Sequence, residues 1–222
     1  MLLLTPIPSL GVVAAMVVAP GPLGHGVFLA AKLWLLVFPT VWHLLVEKGR
    51  PSWSPPRRGG LPAGLLTGIA VAAVITASAL AAGVRTLDAS ALRAAVAAMG
   101  LGTPAAYLAG AAAWTLANSL VEEYVWRWFV LKQLRALLPG ALAVVGSAAL
   151  FTAHHAVAMA AYLEPAQVAL GSLAVLAAGA CWSFLYLRYE SIWPGWISHV
   201  IADLAVFVIG WHLLFASAHL YG

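Results

Sequence analysis

The chain has 222 residues, of which 64% are hydrophobic and 8% charged, with a net charge of +4. A soluble domain carries about 25% charged and about 45–50% apolar residues, so a water-soluble globule is excluded and lipid must solvate much of the surface. The basic residues are split among short segments, which speaks for membrane orientation and against a nucleic-acid partner, and the single cysteine, Cys181, excludes an intrachain disulfide and a cysteine-based metal cluster.

Crossing about 30 Å of hydrocarbon takes roughly 20 apolar residues. Runs of that kind are expected at about 3–20, 26–46, 61–84, 104–126, 141–161, 166–188 and 194–216. The fold class is therefore all-α: one polytopic integral membrane helical bundle over residues 1–222, with about seven transmembrane helices (six to eight). Met1 to Pro6 lacks the positive region of a cleaved signal, so the first run is expected to be retained. The segment from Glu47 to Gly60, rich in proline and arginine, is the most polar loop, and Arg85 to Gly102 has the periodicity of a surface or core helix. Lys48, Arg50, Arg57, Arg58, Lys132, Arg135 and Arg188 all fall on one side if the N-terminus is cytoplasmic, against Arg85 and Arg93 on the other. Trp126, Trp128, Trp182, Trp193 and Trp196 lie near the expected cytoplasmic ends, as interfacial anchors would.

Three polar clusters interrupt the apolar runs. The first is Glu122-Glu123-Tyr124-Val125-Trp126-Arg127. Charges at such depth cost roughly 2.5–3.5 kcal/mol each on insertion scales, so they are expected to face partners. Glu123 and Arg127 are four apart, the spacing of an ion pair that fixes a helix. Glu122 points about 100° away from Glu123 and is left as a candidate general base. The second cluster is Phe151 with His155, and with His154 as an alternative functional histidine. The only chain breaker between these runs is Pro139-Gly140. In a helical hairpin Glu122 and His155 then fall at matching depth, about 25 Å from the turn. The third cluster is His199 and Asp203, four apart just after Pro194-Gly195; it is either an internal hydrogen bond or the far wall of the same cavity. His43, His212, His25 and His219 have no such context and are expected to be packed or surface groups.

Glu122-Glu123-x-x-x-Arg127, Phe151-x-x-x-His155 and His199-x-x-x-Asp203, in this order on successive spans, resemble the three motifs of the CPBP family, the CAAX-protease and bacteriocin-processing (Abi) intramembrane endopeptidases. The approach Ser191-Ile192-Trp193-Pro194-Gly195-Trp196 is similar too, and the resemblance covers about residues 104–210. It implies a CAAX-protease-like core that hydrolyses a peptide bond of a membrane-tethered protein or peptide. Glu122 and His155 would activate water, His199 and Asp203 would bind water or the tetrahedral intermediate, and Glu123, Arg127 and Phe151 would support them. The family most often has asparagine at the last position, where this chain has Asp203. No metal is certain; a divalent ion such as zinc would draw on Glu122, His155 and His199. The competing readings are a proton-coupled transporter, for which no internal repeat is found, and a non-catalytic membrane immunity or scaffold protein.

Overall fold

The structure is a computed structural model that describes residues 3–19, 21–81, 89–161 and 163–216. Counting contiguous helical segments as one, the described residues form eight helices and no strand. They are α1 (Ile7–Val18), α2 (Pro22–Val46), α3 (Leu61–Ala81), α4 (Ser90–Ala98), α5 (104–135), α6 (Gly140–Ala160), α7 (Pro165–Tyr189) and α8 (Trp193–Ala216). Five of them, α2, α3, α6, α7 and α8, are long and apolar enough to cross a membrane. The other two expected spans are α1, an apolar helix shorter than these five, and α5, which is long enough but carries the charged first motif. The molecule is an all-α, multi-pass membrane protein, as its composition requires.

Each helix begins or ends where chain chemistry dictates. Proline opens α2, α5 and α7, where its missing N–H costs nothing. Thr103 caps α5 through the Ala106 N–H, and Glu164 with Gln167 forms a reciprocal capping box on α7. Outward faces are leucine and valine, with Leu33, Leu66, Leu173 and Val206 all exposed, as lipid contact demands. Inside lies one main cluster built on Trp126, Phe129, Phe151, Trp182 and Leu185.

Close helix approach depends on small residues. A Cβ on Gly64 would strike the backbone of Pro194, and one on Gly68 would strike Ser198 and Ile201, so α3 lies directly against α8. Thr67 Oγ1 donates to Ser198 Oγ at 3.2 Å across that contact. The Arg85–Gly102 stretch contains α4, whose Val96 packs with Tyr107, Ala111 and Leu214; its early part, with Arg85 and Asp88, lies outside the described residues, as does His219. Arg93 caps the end of α8 by donating to the Leu213 and Leu214 carbonyls.

The segments after α2 and α7 meet beside the end of α5 on one face. Ser191 Oγ donates to the Ser54 carbonyl at 2.8 Å, and the Ile192 N–H donates back to Ser54 Oγ at 3.1 Å. Arg57, Arg58, Lys132 and Arg135 line a cleft of about 630 Å³ there, with Tyr186 and Tyr189. The shared basic face is the one the charge asymmetry anticipates.

Two expectations are corrected. His43 does have a polar neighbour at helical spacing: its Nδ1 is 2.8 Å from Glu47 Oε2. The same carboxylate takes Lys132 and Gln133, tying the end of α2 to the end of α5. Burial would raise the Glu47 carboxyl, but the hydrogen bonds from Lys132, His43 and Gln133 and the Lys132 charge outweigh it and hold the group at about 2. Trp126 and Trp182 are not interfacial anchors. They are 0% and 4% exposed, because each finds an imidazole to stack on inside the bundle.

Candidate active site

All three motifs converge. α5 supplies Glu122, Glu123 and Arg127, α6 supplies Phe151, His154 and His155, and α8 supplies His199 and Asp203. From Glu123 to Val130 the backbone of α5 widens into π-type turns, a feature common at functional sites. Wider turns narrow the angle between successive side chains, and both carboxylates reach the same imidazole. His199 Nδ1 lies 3.1 Å from Glu123 Oε1, and His199 Nε2 lies 3.6 Å from Glu122 Oε2.

Glu123 therefore does more than the expected ion pair with Arg127. Its Oε1 stands 3.5 Å from Arg127 Nε without a hydrogen bond, and both side chains are buried. The guanidinium is held instead between rings, 4.4 Å from the Phe151 centroid and 5.1 Å from that of Trp182. A carboxylate accepts only, so His199 Nδ1 is the donor in the Glu123 bond, and this fixes the ring's orientation. Trp182 completes the seat: it stacks on His199 at 3.9 Å and 17°, and its indole N–H donates to Ser198 Oγ. Gly195 leaves room for this, since a Cβ there would collide with Glu123 Oε2.

The hairpin of α5 and α6 brings both histidines of α6 to Glu122. His154 Nε2 lies 3.8 Å from Glu122 Oε1, with its ring stacked on Trp126 at 5.3 Å and 7°. His155 Nδ1 donates to the Phe151 carbonyl at 3.0 Å, which leaves Nε2 as the free lone pair. Glu122, His154 and His155 each offer one ligand atom, all within 4.8 Å of one another. One carboxylate and two imidazoles suit a divalent ion with an open position, and the backbone bond behind His155 is the kind that orients a metal-binding imidazole. This group differs from the expected set by one residue, with His154 in the place of His199.

Asp203 stands apart. Its Oδ1 is 3.7 Å from His199 Nε2, beyond a hydrogen bond, and its side chain is 21% exposed where His199 is 4% exposed. Two further polar residues contact Glu122 that motif spacing did not single out, Lys32 on α2 and Asn118 on α5. Both had a signal: Lys32 is a lone cation in an apolar run, and Asn118 precedes Glu122 by one helical turn.

Residues 104–205 match the family model described as "Type II CAAX prenyl endopeptidase Rce1-like". This part of the chain is similar to the CAAX-protease family. The family is one of peptidases, and the CAAX-protease match contains every charged and imidazole side chain of the converging motifs, from Glu122 to Asp203. Helices α1 to α4 and Lys32 lie outside the CAAX-protease match. No curated protein and no solved structure matches the chain.

Proposed function

We propose that this protein is an intramembrane endopeptidase in which Glu122 activates water for attack on a peptide bond of a membrane-associated protein or peptide. One observation carries the reading: the Glu122 carboxylate lies against three imidazoles inside a lipid-solvated bundle, with Glu123 orienting one of them. A carboxylate in that setting can take a proton from water and return it to the leaving amine. His155, with Nε2 free, can hold the same water. His199 has a carboxylate against each ring nitrogen, an arrangement that suits an imidazolium donor to the developing oxyanion. Asp203, the most exposed carboxylate of the group, is the side from which substrate reaches His199.

The site lies roughly 15 Å from the basic face, counted from Glu122 to Lys132 at the helical rise. With that face cytoplasmic, cleavage occurs in the cytoplasmic half of the bilayer and the N-terminus is cytoplasmic. If a divalent metal binds, Glu122, His154 and His155 would hold it, and it would supply Lewis-acid polarisation of water or of the scissile carbonyl.

The test compares cells expressing the protein with cells expressing Glu122→Gln at the same level. Mass spectrometry of membrane-protein termini should show cleaved ends that require the Glu122 carboxylate. Identical sets of termini would overturn the proposal.

A further inference from the structure

Lys32 sits in α2, ten residues from its first residue, Pro22, and fourteen from its last, Val46. At the helical rise the nearer end is about 15 Å away, too far for a lysine stem to carry its ammonium to the interface. A lone lysine at that depth is costly and marks function or a partner. The partner is Asn118, whose Oδ1 is 2.5 Å from Lys32 Nζ. The ammonium also lies 5.5 Å from the Phe28 ring and 5.0 Å from the Trp114 ring, which themselves stack.

Lysine only donates, so Asn118 must turn its oxygen to Lys32 and its amide N–H to the other side. That N–H donates to Glu122 Oε1 at 2.9 Å, and Lys32 Nζ itself stands 3.8 Å from the same oxygen. Every contact of this pair falls on Oε1. The other oxygen, Oε2, faces His199.

Among the described residues, Lys32 is the lysine or arginine side chain within 4 Å of the Glu122 carboxylate. The two oxygens are thus divided: Oε1 meets Asn118, Lys32 and His154, and Oε2 faces His199.

We propose that Lys32 and Asn118 are positioning residues for the Glu122 base, engaging Oε1 so that Oε2 is directed at His199. This rests on the reading of Glu122 as the base. It also assigns a role in the site to α2, a helix outside the family match.

The test uses the full chain in lipid nanodiscs. Infrared spectra of each variant, minus those of the same variant carrying Glu122→Gln, isolate the Glu122 carboxyl bands. Lys32→Met and Asn118→Leu should each shift the Glu122 bands, since a contact on Oε1 is gone, and Lys32→Arg should restore them. Cleavage of a peptide spanning a Glu122-dependent site found in cells should fall about tenfold or more in kcat for Lys32→Met with KM nearly unchanged, and Lys32→Arg should rescue it. Unshifted bands in both Lys32→Met and Asn118→Leu would overturn the proposal. The infrared arm needs no substrate, so it separates the two readings. Band shifts with no Glu122-dependent termini in cells would sink the protease reading alone, and Glu122-dependent cleavage without band shifts would sink the positioning role alone.

Discussion

Replacing Glu123 by glutamine should slow the reaction even in molecules that are fully folded. The bond from His199 Nδ1 to Glu123 Oε1 is 3.1 Å long, between side chains that are 4% and 0% exposed. A hydrogen bond to a charged group contributes about 1.5–3 kcal/mol and a neutral one about 0.5–1.5. Glutamine keeps an acceptor oxygen but loses the charge, so the net loss is about 1–1.5 kcal/mol, or about 5- to 15-fold in kcat. Glu123→Gln also strips Arg127 of its counter-ion at 3.5 Å, and breaking a buried pair from one side costs about 3–5 kcal/mol of stability. Lower activity and lower stability are therefore expected together, and the double variant Glu123→Gln with Arg127→Met separates them. Removing both charges should restore most of the stability while kcat stays low. The assay is cleavage per folded molecule, with the folded fraction measured by thermal unfolding in detergent. If the double variant cleaves at the unmodified rate, Glu123 serves Arg127 alone and the account of His199 fails.

Trp182→Leu removes the ring stacked on His199 and the donor to Ser198. It should cost kcat more than KM, whereas equal kcat would mean the stack only fills space. Gly68→Leu forces a side chain into the backbone of α8; overpacking of that kind costs about 1–3 kcal/mol, to be read as a lower unfolding temperature. The Glu47 carboxyl is held at about 2, below its ordinary value of 4.5. Its contribution to stability is thus complete above pH 4.5 and lost as pH falls towards 2. Unfolding temperature followed through that window should drop less steeply for Glu47→Gln than for the unmodified chain. Treatment with a strong chelator, followed by elemental analysis and assay, should abolish cleavage if Glu122, His154 and His155 hold a metal; full activity in metal-free protein would assign the chemistry to Glu122 alone.

Composition and the three motifs carried most of what could be read in the sequence. Spans of about 20 apolar residues are a property of the bilayer, so the helices fall close to where hydropathy puts them. Hairpin depth needed only the helical rise and one breaker, Pro139-Gly140, and it brought the α6 histidines to Glu122. Rotation about the helix axis was the harder matter. The π-type widening after Glu122 depends on tertiary packing, and it turns Glu123 onto His199 where a regular 100° step separates the two carboxylates. Trp182 and Trp126 read as interfacial anchors because their burial is decided by partners on other helices. Lys32 was visible as an isolated charge, but its link to Asn118 spans 86 residues, and no local spacing rule connects them.

The most direct measurement takes a peptide spanning a Glu122-dependent cleavage site found in cells and presents it to purified, reconstituted protein. The unmodified chain should cut one bond, and Glu122→Gln, matched for folding, should leave the peptide intact. Cleavage of that bond by Glu122→Gln at the unmodified rate would contradict the assignment of Glu122 as the base.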